Sequence, residues 1–104
     1  MRGRYRALVP VVLCVLLEAV PGEEAALVAY EDEVLALLAD HNARIIQRVR
    51  AAEAGEGPYE VHVLEFASQA ALDAYMEDPR RTGLLAERDR VIARTTVVPV
   101  EIVA

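Results

Sequence analysis

The sequence has no tryptophan, no lysine, one cysteine and one phenylalanine among 104 residues. Some of these shortages remove a class of protein. The lone Cys14 lies inside an apolar run and has no partner for an intrachain disulfide, and neither a Cys-x-x-Cys pair nor a Cys/His cluster of metal-ligand spacing occurs. Nothing therefore requires an oxidising compartment, no metal is expected, and the expected location is cytoplasmic. No apolar run reaches the roughly 20 residues that a membrane-crossing helix needs, so a membrane is not an expected partner. Basic residues are short as well, 11 against 17 acidic ones. A phosphate backbone is recognised through a basic stripe, so nucleic acid is not an expected partner either. Every basic residue is arginine, which we read as codon usage rather than eleven separate demands for a planar donor.

What is present is a chain of 55% hydrophobic content, enough for one domain and one core. A chain of this size buries only about two thirds of its unfolded surface when it folds alone. An additional face covered by a partner would matter, and we expect an oligomer. The domain is expected over residues 7–104, after a short Arg-rich extension at 1–6.

The N-terminus admits two readings. Arg2, Arg4 and Arg6 followed by a Val/Leu run to Leu17 resemble the charged and apolar regions of a secretory signal. The same run reads as a buried strand. Glu18 interrupts the place where small residues of a cleavage site should follow, and Leu13 rather than a small residue precedes Cys14. Without this run the rest of the chain also lacks a central strand, so the strand is the reading carried forward.

The hydrophobic period then divides the chain. Residues 8–17 form a continuous apolar run bounded by Pro21-Gly22, the pattern of a central strand covered on both faces. Leu27, Tyr30, Val34, Leu37, Leu38 and His41 recur at helical spacing, with Glu23, Glu24, Glu31, Asp32 and Glu33 assigned largely to the solvated side. From Ala43 the period falls to two. Ile45, Gln47 and Val49 alternate with Arg44, Ile46, Arg48 and Arg50, a polar strand suited to a sheet edge. A turn over residues 53–57 leads into a third alternating strand, Tyr59 to Phe66. Ser68 is placed to cap a helix carrying Ala71, Leu72, Tyr75 and Met76; Asp78-Pro79 starts a second helical piece with Leu84, Leu85, Arg88, Val91 and Ile92. Residues 95–103 close the chain as a strand whose Pro99 suits an edge.

Right-handed crossovers leave few ways to assemble these elements. The expected fold is α+β, a ferredoxin-like βαββαβ unit with a four-stranded antiparallel sheet of order 4-1-3-2. Both helical segments cover one face. The opposite face carries Val, Leu and Thr side chains that a monomer would expose as a large patch. A homodimer through that sheet face, two sheets closing a barrel, is expected to bury more than about 1,200 Å² in total.

The segment Val63-Leu-Glu-Phe-Ala-Ser-Gln-Ala-Ala-Leu-Asp-Ala-Tyr-Met-Glu-Asp-Pro79 resembles the strand-to-helix segment of the dimeric α/β-barrel superfamily, and the similarity extends over most of the chain. Tyr30, Val34, His41 and Arg44 stand where its small uncharacterised members carry their first helix and second strand. Asn42-Ala43 departs from the glycines found at that turn. More distantly the chain resembles antibiotic biosynthesis monooxygenases. The resemblance implies the fold and a cavity between sheet and helices. It leaves the chemistry open, since the superfamily holds cofactor-independent monooxygenases, cyclases, isomerases, haem-degrading enzymes and proteins without known activity.

The polar residues expected on the inward faces are Tyr30, His41, His62, Tyr75 and Arg88. His62 alternates with Leu64 and Phe66 on an apolar side of a central strand, where an imidazole suits a general base near neutral pH; a core histidine bonded to a neighbour is the plainer role. If the hairpin register sets Arg48 or Arg50 beside Glu60 and His62, the group is a cross-strand charge cluster or an anion-binding wall. His41 is the second catalytic candidate, with helix capping as its plainer role. Tyr30 and Tyr75 are packing residues or the walls of a pocket for a small apolar or aromatic ligand. Arg88, amid Glu87, Asp89 and Arg90, reads first as solvated surface and second as a substrate contact. Two functions fit: a small-molecule enzyme of monooxygenase, cyclase or isomerase type, or a non-catalytic dimeric module that binds a small ligand or a protein. The resemblance alone favours the enzyme, and what it implies is one that works without a metal or nucleotide cofactor. Missing tryptophan and scarce Asn and Gln weaken its oxygenase form.

Overall fold

A computed structural model describes residues 9–104. The Arg-rich extension at 1–6 and the expected start of the domain at residue 7 lie outside the described residues. The chain runs β1 (Val11–Ala19), α1 (Glu24–Leu35), a 3-10 turn (Leu38–His41), β2 (Ala43–Arg50), β3 (Glu60–Phe66), α2 (Gln69–Met76), α3 (Pro79–Thr82), α4 (Leu85–Val91) and β4 (Ile92–Pro99). All strand pairs are antiparallel and the order is β2-β3-β1-β4, the expected 4-1-3-2 read from the other edge. One chain forms an open sheet, not a closed barrel.

Local chemistry sets the connections. Gly22 takes φ 87°, a left-handed turn that L side chains resist, so β1 can reverse directly into α1. Asn42 adopts φ 52° and ψ 46° at the end of the 3-10 turn. Asparagine tolerates this region better than other non-glycine residues, so the turn forms without a glycine. Ser68 Oγ accepts the amide of Ala71 at 3.1 Å and starts α2. Asp78 Oδ1 accepts the amide of Arg80 at 2.9 Å and, with Pro79 behind it, starts α3. The helix break at Pro79 is therefore as expected.

Two boundaries differ from the sequence reading. Ile92, assigned above to the last helix, opens β4, and that strand ends at Pro99 rather than at residue 103. Its edge position removes any need for the Pro99 amide, while Ile102 and Val103 stay exposed beyond it. The alternation expected along β2 is also broken. Ile45 pairs with Leu64 but Gln47 pairs with Val63, leaving Ile46 as an extra residue. This bulge changes the phase, so Arg48 and Arg50 share the helix-covered face with Ile45 instead of opposing it.

The core lies between sheet and helices in two parts. Leu17, Leu27, Tyr30, Val34, Val91 and Ile92 form one; Leu35, Leu38, Leu64, Phe66 and Tyr75 form the other. On the other face Val12, Cys14, Leu16, Val61 and Val63 are half-buried with no helix above them. Cys14 is free.

Candidate functional site

Between the two parts of the core lies a cavity of about 480 Å³, within the usual size of a small-molecule site. β1 contributes Leu13, Val15 and Leu17, β3 contributes His62, Leu64 and Phe66, and α1 contributes Tyr30, Glu31, Val34 and Leu35. Polar groups enter only at defined points of an otherwise apolar wall.

His62 is held from two neighbouring strands, β3 and β2. Its Nε2 lies 2.7 Å from Oε1 of Glu60, two residues along the same face of β3. Glu60 is wholly buried. It also accepts Arg48 Nε at 2.9 Å, Arg48 Nη2 at 3.0 Å and Arg50 Nε at 2.8 Å. Arg48 stands opposite His62 and Arg50 opposite Glu60 in the ladder, the consequence of the bulge at Ile46. Burial works against the charge of Glu60, but hydrogen bonds from His62, Arg48 and Arg50 outweigh it and bring its pKa down to about 2. An ionised carboxylate only accepts, so the Nε2 of His62 carries the proton that joins them. Its Nδ1 then faces Oε1 of Glu31 at 3.7 Å. The register reserved above as a condition is thus realised with both arginines.

Glu31 corrects the sequence reading. Assigned to the solvated acids, it is 6% exposed and faces the cavity. Burial raises its pKa from 4.5 to about 7, with His62 opposing and Glu60 adding to the rise. The signal was present: Glu31 sits four residues from Leu27 and from Leu35 on the apolar stripe of α1. Its carboxyl near neutrality and a histidine with one fixed nitrogen make an acid–base pair on the cavity wall.

Of the other candidates, Tyr30, Tyr75 and Arg88 line the cavity and His41 does not. Burial raises the pKa of Tyr30. Tyr75 donates its hydroxyl to the carbonyl of Val34 at 3.1 Å, and burial pushes its pKa up to about 12; both act as neutral phenols. Arg88 is half-buried rather than the solvated side chain expected first, and its Nη2 donates to Thr95 Oγ1 at 2.9 Å. His41 Nε2 lies 2.7 Å from Asp78 Oδ2, tying the 3-10 turn to the α2–α3 corner. The Arg80 guanidinium, then His41, hold the Asp78 carboxyl well below the carboxylate range. Arg81, which carried no periodic signal in the sequence, also lines the cavity, its guanidinium 5.3 Å above the Tyr75 ring.

Solved structures share this architecture. A dimeric protein of unknown function and ferredoxin-like fold from Bacteroides fragilis is 20% identical, with 89% of this chain and 96% of that chain covered at a TM-score of 0.68. A DABB family protein with a ferredoxin-like fold from Mesorhizobium loti is 15% identical, covering 91% and 98% at a TM-score of 0.65. A candidate antibiotic biosynthesis monooxygenase from Bacteroides thetaiotaomicron is 11% identical, covering 91% and 90% at a TM-score of 0.75. At these identities the likeness establishes the fold alone. No curated protein matches the chain. Residues 16–102 match the family described as Domain of unknown function (DUF1330), and the chain belongs to that family.

Proposed function

We propose that this protein is a small-molecule enzyme that works by proton transfer, of isomerase, cyclase or monooxygenase type, on an apolar or aromatic substrate held in the cavity. The observation that carries this reading is the Glu31–His62 pair: both side chains are buried, both line a cavity of about 480 Å³, and Glu60 fixes the tautomer of His62. In the step that follows, a C–H or O–H bond of the substrate breaks, its proton goes to Nδ1 of His62 or to the Glu31 carboxylate, and the electron pair stays on the substrate as an enolate or phenolate. Tyr30 and Tyr75 form the walls, and His41 serves the corner at Asp78 rather than the chemistry. The reading asks for no metal or nucleotide. The active form is a homodimer through the helix-free face, since Val12, Cys14, Leu16, Val61 and Val63 make a patch that a second copy would cover.

A non-catalytic binding module is the second reading. It is favoured by Tyr75, which commits its hydroxyl to a backbone carbonyl and offers a ligand only its ring.

The experiment is solvent exchange. Enolisable ketones and phenols that fit the cavity are incubated with protein in D₂O, and deuterium incorporation is followed by NMR. Exchange that His62→Gln and Glu31→Gln each slow by roughly a hundredfold, the usual scale of general-base loss, supports the enzyme. Binding without exchange, equal in wild type and His62→Gln, leaves the binding module.

A further inference from the structure

We propose that the ligand of this cavity is an anion: an apolar or aromatic body carrying a carboxylate or an equivalent single negative charge, held by Arg81 and Arg88. This deepens the reading above and rests on the cavity being a ligand site.

Arg81 is the observation. The other seven arginines among the described residues have a carboxylate oxygen within 4 Å. Arg81 has none, and residues 1–8 contain no Asp or Glu that might supply one. Its Nε is buried without a hydrogen-bond partner, and its Nη1 reaches only the carbonyl of Met76 at 3.4 Å. A buried guanidinium N–H left unmade is costly, and the guanidinium is a planar fork suited to a carboxylate. Arg88 brings a second positive charge to the same cavity, and its nearest carboxylate, Asp89, is at 3.4 Å on an exposed side chain. The acids that share the lining are Glu31, which burial keeps largely uncharged below neutral pH, and the exposed Asp73. The apolar floor of Val15, Leu64 and Phe66, with the Tyr75 ring under Arg81, accepts the body of the ligand. In the proton-transfer step the same arginines would meet the negative charge left on the substrate.

The test uses two fluorescent probes with one aromatic body, 8-anilinonaphthalene-1-sulfonate and its uncharged counterpart N-phenyl-1-naphthylamine. The wild-type protein should bind the sulfonate at least tenfold more tightly, the scale of a charge-assisted hydrogen bond in a buried site. Arg81→Gln should remove most of that preference while changing binding of the uncharged probe less than twofold. Arg88→Gln, measured beside it, should weaken the sulfonate alone and carries the test if Arg81→Gln does not fold. Equal affinity of the two probes, or sulfonate binding indifferent to both substitutions, overturns the anion proposal while leaving the cavity as a ligand site. If neither probe binds, the ligand site itself fails and this proposal with it.

Discussion

Oε1 of Glu31 and Nδ1 of His62 face each other across 3.7 Å, on different elements and both buried, at the wall of the cavity. The two groups share a region where one proton has two places to go. On the far side of the imidazole, Glu60 is held ionised by Arg48 and Arg50. Two carboxylates 29 positions apart in the chain therefore have opposite characters because of what surrounds them, one desolvated and one saturated with donors.

This contrast predicts the pH dependence of stability. Glu31 has a folded pKa raised from 4.5 to about 7, so the folded state holds the extra proton between those values and stability falls as pH rises through that window. Glu60 has a folded pKa lowered to about 2, so its contribution is present above 4.5 and is lost as pH falls toward 2. Urea unfolding should show greatest stability near pH 4 to 5, with a loss of roughly 2–3 kcal/mol between there and pH 8. Glu31→Gln should flatten the upper limb. An upper limb of unchanged slope in that variant would refute the assignment to Glu31.

Glu60→Gln removes the anion from beneath two guanidinium groups and an imidazole. Breaking a buried pair in this way costs about 3–5 kcal/mol, because the remaining charges lose their counter-ion. Arg48→Met combined with Glu60→Gln should recover part of that loss in a double-mutant cycle. If the single substitution costs less than about 1 kcal/mol in chemical denaturation, the cluster is solvated and does not order His62.

The helix-free face predicts the oligomer. Val61→Arg places a charge at the centre of that face, on β3 between Val49 of β2 and Leu16 of β1. Light scattering should report a dimer for the wild type and a monomer for the variant, with the circular dichroism of the fold retained. A wild-type chain that sediments as a monomer at micromolar concentration would remove the homodimer from the account.

The elements were legible in the sequence because their periods are produced by one-sided burial: Leu27, Tyr30 and Val34 on α1, the alternation of His62, Leu64 and Phe66 on β3, and Pro99 at an edge. The caps at Ser68 and Asp78 were legible because the chemistry that starts a helix is local. Glu31 was misassigned because residue type was weighed above position; its place on the apolar stripe was the better guide. Arg81 was not found at all, since nothing near it in sequence distinguishes it from Arg80, which is paired. By itself the sequence determined the order of strands and helices, their amphipathic faces and the identity of His62 as the polar intruder on an apolar strand. Only the tertiary structure decided what surrounds that histidine. A single extra residue at Ile46 sets which face Arg48 and Arg50 occupy, and the packing of α1 on the sheet brings Glu31 to within 3.7 Å of the imidazole. Registers and packing angles of this kind are set by contacts between residues distant in the chain, and local periodicity carries no record of them.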